Sequence, residues 1–64
     1  MDKKTRIKHL LKELAAAASN ATAYFHVYLD DDFTEEEQEH YLHLSNEYKE
    51  DVKKLTQKIL NLID

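Results

Sequence analysis

The 64-residue chain reads as an all-α protein, a two-helix antiparallel hairpin that assembles into a four-helix bundle or a larger helical oligomer. Three observations predict this. Glycine, proline and cysteine are absent, so the usual signals of tight turns and multi-strand folds are missing, along with any disulfide or thiolate staple. Apolar residues recur at 4-3-4-3 spacing through both halves, the a/d pattern of a heptad repeat. A single short polar segment, Asp30-Asp31-Asp32-Phe33-Thr34, separates those halves. A chain this short makes one domain, residues 1–64, and buries too little surface to be secure without a staple or a partner.

The first helix is expected over about 2–29. Its seam is Ile7, Leu11, Leu14, Ala18, Ala21, Phe25 and Tyr28. The second is expected over about 35–63, with Tyr41, Ser45, Tyr48, Val52, Leu55, Ile59 and Leu62 in its seam and Ser45 as the one polar member. Thr34 followed by Glu37 forms a capping box, which starts that helix at Glu35. Glu35, Glu36 and Glu37 then sit at the end of the helix dipole that favours negative charge, and Lys49, Lys53, Lys54 and Lys58 lie toward the other end. Two long helices joined by so few residues can only fold back antiparallel. Reversal near residue 32 sets Ala18 and Ala21 against Tyr41, Ser45 and Tyr48, pairing small side chains with large ones.

Between Leu14 and Leu29 the chain carries no formal charge, although 34% of all residues are charged. A membrane span needs about 20 predominantly apolar residues. This stretch is shorter and includes Ser19, Asn20, Thr22 and His26, so a soluble, cytoplasmic protein is expected. A helix without a charged face over four turns is covered on more than one side. The seam cannot reach Leu10, Ala16, Ala17, Ala23, Tyr24 and Val27, and together with Leu42 and Leu44 of the second helix these are the expected intermolecular interface.

Charge is distributed along the hairpin as on a polar rod. Residues 1–13 carry +3 and residues 49–64 carry +1, whereas residues 30–39 at the loop carry −7. Two hairpins laid in opposite directions bring each acidic loop beside the partner's basic end. Screening over about 8–10 Å makes this a choice of orientation more than a source of affinity. A homodimer is the expected partner arrangement, with higher oligomers and another protein's helix as the alternatives.

The length, the hairpin and the loop start Leu29-Asp30-Asp31-Asp32 resemble the Rop-type plasmid copy-number repressors. That resemblance is architectural; it implies an antiparallel four-helix bundle formed by two hairpins, and RNA loop pairs as the ligand. RNA recognition in those proteins uses polar, basic and aromatic groups on the outer face of the first helix. The matching positions here are Ala16, Ser19, Asn20, Ala23 and His26. Phosphate contacts, which dominate such affinities, would fall to Lys3, Lys4, Arg6, Lys8 and Lys12, and nucleic acid is not the expected partner. In style the chain also resembles idealised, de novo designed helical bundles, because propensity, capping and pattern agree at every level.

The histidines are the only candidates for chemistry. Glu36, His40, His43 and Glu47 share one stripe of the second helix, but that stripe points about 130° from the seam at 100° per residue, and convergent metal ligands are not expected there. No nucleophile, phosphate loop or cofactor motif is visible. The expected function is therefore non-enzymatic self-assembly through the uncharged face of the first helix. The alternative is a phage- or plasmid-type regulatory adaptor that receives a partner protein, or RNA, on that helix.

Overall fold

The computed structural model describes residues 2–63; Met1 and Asp64, the ends of the expected 1–64 domain, lie outside that range. Two helices make up the fold: α1, Lys3–Tyr28, and α2, Glu35–Ile63. They lie antiparallel in a rod of 47 × 14 × 13 Å. Its radius of gyration is 14.7 Å, against about 11 Å for a compact chain of this length. The elongation follows directly from two helices of this size at about 1.5 Å per residue.

Local chemistry sets each helix end. Asp2 caps α1, its Oδ1 accepting the Thr5 N–H at 2.8 Å. At the start of α2 the capping box closes in both directions. The Glu37 N–H donates to Thr34 Oγ1 at 3.2 Å, and the Thr34 N–H donates to Glu37 Oε1 at 3.0 Å. Each bond satisfies a backbone donor that the helix itself leaves free. The backbone bonds hold the Asp2 and Glu37 carboxyls below their ordinary range, because they favour the ionised form.

The reversal is made without glycine. Leu29 keeps a right-handed backbone at φ −80° and ψ −6°, and its N–H is shared between the Phe25 and His26 carbonyls at 3.2 Å each. Asp30 then organises the turn. Its Oδ1 accepts the Asp32 N–H at 3.0 Å, and its carbonyl accepts from Gln38 Nε2 at 2.9 Å. Phe33 closes the end of the rod edge-on against Tyr41, with ring centres 5.4 Å apart. No described non-glycine residue has positive φ, so the turn carries no left-handed strain.

The two helices meet over a thin core. Ala17 and Ala21 of α1 and Ile59 of α2 are its buried hydrophobic residues, and Ser45 is fully buried beside them. The Ser45 hydroxyl donates to the Ala21 carbonyl at 2.8 Å. That bond requires close approach of the two backbones, which alanine permits at this point. Toward the loop, Tyr24 stacks between Tyr41 and Tyr48 at 6.0 and 5.8 Å, with rings within 16° and 9° of parallel. Stacked rings at this separation add to the burial they provide.

The seam on α1 differs from the heptad expectation at three positions. Leu11 is 48% exposed, Phe25 is 37% exposed and Ala18 is also exposed. In their place Leu10, Ala17 and Tyr24 face α2, with Ile7, Leu14, Ala21 and Tyr28 common to both arrangements. This turns α1 by roughly 40° about its own axis, at 3.6 residues per turn. The cause lies in an apolar stripe two residues wide, which offers two overlapping heptads. The competition is decided by Tyr24, which fits between two tyrosines of α2, and by Ala21, whose carbonyl Ser45 must reach.

Candidate interaction surface

Once α2 has covered one side of the α1 stripe, the other side remains on the surface. Among the described residues, Leu11, Phe25, Leu29, Leu60 and Ile63 are the large hydrophobic residues left exposed. Helical spacing gathers them on one flank of the rod. Midway along that flank a groove of about 500 Å³ runs between the helices, lined by Ala18, Thr22 and Phe25 of α1 and by Lys49, Val52 and Lys53 of α2. Residues seven apart share a helix face, so the groove line continues from Ala18 to Leu11 and from Thr22 to Leu29. On α2 it continues from Lys49 to Leu42 and from Lys53 to Leu60.

Two lysines of α2 line this apolar strip, and Lys49 reaches across it. The Lys49 ammonium lies 4.8 Å from the centre of the Phe25 ring, a distance at which the ring face attracts a cation. Lys53 Nζ is drawn toward Glu50 Oε1 at 3.3 Å, and both partners are largely exposed. Their stems cover apolar surface while their heads stay wet.

The opposite flank has a different character. A second groove there is lined by Glu13, Asp51, Lys54 and Lys58 around Ala17 and Tyr48. A cleft nearer the chain ends carries Arg6, His9 and Lys58 around Leu10 and Leu62. Charge alternates along this side, and no large apolar residue stands free on it.

The expected interface residues are thus divided by the fold. Leu10, Ala17 and Tyr24 are turned toward α2, so they are packing residues of the hairpin and not its outward face. Ala16 and Ala23 are exposed, Val27 is half-buried, and Leu42 and Leu44 are half-buried on α2. Of the expected seam residues on α2, Ser45 and Ile59 are buried and Tyr41, Tyr48, Val52, Leu55 and Leu62 are half-buried. Leu29, Leu60 and Ile63 lie outside the expected interface and yet form part of this surface; their spacing to the groove residues is present in the sequence.

The histidine stripe lies on the outside of α2. His43 Nε2 is 3.1 Å from Glu47 Oε1, and both side chains are well exposed. His40 packs its ring obliquely on Tyr41 at 5.7 Å, which turns it from its neighbours. Among the described residues no group of three or more His, Asp or Glu side chains converges on a point where a metal ion would sit. No described helix is long and apolar enough to cross a membrane. No protein-family model, curated protein or solved structure matches the chain.

Proposed function

We propose that the protein is a non-enzymatic self-assembly module whose hairpins associate with one another. One observation carries this reading: among the described residues three small or medium hydrophobic ones are buried while five large ones stay exposed. Folding of a single hairpin must offset a conformational entropy of about 1–2 kcal/mol per residue. A core of two alanines and one isoleucine, with the tyrosine stack and the seam leucines only half-buried around it, offers little against that. The accessible surface is 5061 Å², whereas a compact monomer of 7.6 kDa exposes about 4,300 Å². Association is the direct way to remove the excess.

Sedimentation and circular dichroism over a range of chain concentrations test this. A dimer or larger species at micromolar concentration is expected, with a melting temperature that rises with concentration by mass action. A cooperatively melting monomer with a concentration-independent midpoint would sink the proposal. That outcome would favour the second reading, a regulatory adaptor that seats a partner protein's helix. The cationic rim of Lys49 and Lys53 along the apolar groove supports that reading by suiting an acidic amphipathic helix. RNA binding of the Rop type has weaker support, since the outer positions Ala16, Ala23 and His26 add no fixed charge to α1.

A further inference from the structure

We infer that the flank bearing Leu11, Phe25, Leu29, Leu42, Leu60 and Ile63, built from both helices, seats a second copy of this chain head to tail. The inference rests on the self-assembly reading and specifies its geometry. The contact surface it names is not the outer face of α1 at Ala16, Ala23 and Val27.

The area of a flank suffices, and chemistry favours this one. The rod measures 47 Å by 14 Å, a face of about 650 Å² before side chains are added, near the roughly 800 Å² per partner of a standard interface. All five exposed large hydrophobic residues belong to it. The opposite flank would bury Glu13, Asp51, Lys54 and Lys58, four charged side chains against Lys49 and Lys53 on this one, at a higher desolvation cost.

Charge identifies the occupant and its direction. Residues 30–39 carry −7, and residues 1–13 carry +3. A second copy laid in the opposite direction brings Asp30, Asp31 and Asp32 near the partner's Lys3 and Lys4. A copy laid in the same direction sets seven negative charges beside seven. The head-to-tail pair has a two-fold axis across the rod, so α1 runs along the partner's α1 and α2 along the partner's α2.

The side chains accept that arrangement in a definite register. Within one hairpin Ala21 stands level with Ser45, which ties the heights of the two helices together. With Leu42 set against the partner's Leu60, Leu11 falls against the partner's Ala18 and Ala15 falls near the axis. A large residue then meets a small one at that point of α1, as dense packing requires. Near the middle of α2 the same register sets Lys49 level with the partner's Lys53; the Lys49 head rests over its own Phe25 and Lys53 is drawn toward Glu50, so each ammonium already has a partner within its own hairpin.

Three measurements on the full chain separate the parts of this inference. The wild-type mass by sedimentation decides self-assembly itself, and a monomer would remove the reading on which the inference stands. Given a dimer, Leu60→Glu should weaken association at least about 100-fold, since the lost burial occurs twice per dimer, while Ala23→Glu should leave the mass unchanged. The reverse pattern would overturn the flank and return the interface to the outer face of α1. Direction is read from Ala15→Cys, in a chain with no cysteine of its own. Mild oxidation should link two copies through position 15 if they lie head to tail. Failure of Ala15→Cys to link, in a sample that is dimeric before oxidation, would overturn the orientation, and this readout does not depend on a destabilising variant.

Discussion

Ser45 is the most informative single side chain in the core. It is fully buried, and its hydroxyl donates to the Ala21 carbonyl at 2.8 Å, a side-chain hydrogen bond directly between the two helices. Ser45→Ala removes that bond with almost no change in volume. The Ala21 carbonyl keeps its bond within α1, so no buried group is orphaned. The expected cost is therefore the net worth of one hydrogen bond, about 1 kcal/mol. For a domain of this size that lowers the melting temperature by about 4–8 °C, read by circular dichroism at a fixed chain concentration. Ala21→Leu tests the same contact from the other side. The added bulk must part the backbones where Ser45 bridges them, and overpacking of this kind costs about 1–3 kcal/mol. A Ser45→Ala protein as stable as the wild type, together with a tolerated Ala21→Leu, would refute the claim that close approach at this point sets the rotation of α1.

Tyr24→Leu should cost stability by removing two stacked contacts with Tyr41 and Tyr48, about 0.5–1.5 kcal/mol each beyond area, and should reduce the near-ultraviolet dichroism of tyrosine. Phe25→Leu, outside that stack but 5.7 Å from the Tyr28 ring, should change the tyrosine signal less. Thr34→Ala opens the capping box and should destabilise α2 by about 1 kcal/mol, with amide exchange quickening first at Glu37. Acidification should loosen both helix starts. The Asp2 and Glu37 carboxyls titrate lower folded than unfolded, so their contribution is present above the ordinary carboxylate range and is lost as pH falls through the folded values. Asp2→Asn, which keeps an acceptor but does not titrate, should remove the acid sensitivity of the Thr5 amide, and unchanged sensitivity would contradict the assignment. Leu29→Gly should destabilise the chain, because Leu29 ends α1 at φ −80° and glycine adds only unfolded-state entropy there; a gain in melting temperature would show a left-handed cap in solution.

Much of the fold was legible in the sequence because it rests on local rules. The Thr34 and Glu37 pair marks where α2 begins, and Asp30-Asp31-Asp32 marks the reversal. Heptad spacing required both helices to bury a stripe, and their shared length required antiparallel return. Which stripe of α1 faces α2 was a different kind of question. Leu10, Ala17 and Tyr24 are as apolar and as evenly spaced as Leu11, Ala18 and Phe25, so periodicity alone weighed the two heptads equally.

The choice came from three-dimensional fit. Tyr24 enters the gap between Tyr41 and Tyr48, Ser45 finds a carbonyl only where Ala21 lets it approach, and Lys49 closes over the ring of Phe25 left outside. Spacing along one helix says which residues share a face, and it determined the hairpin. Which face meets which neighbour depends on the shape and polarity of side chains from the other helix. Only the tertiary structure decided that, and in deciding it left Leu11, Phe25, Leu29, Leu60 and Ile63 as the surface that a single hairpin cannot cover.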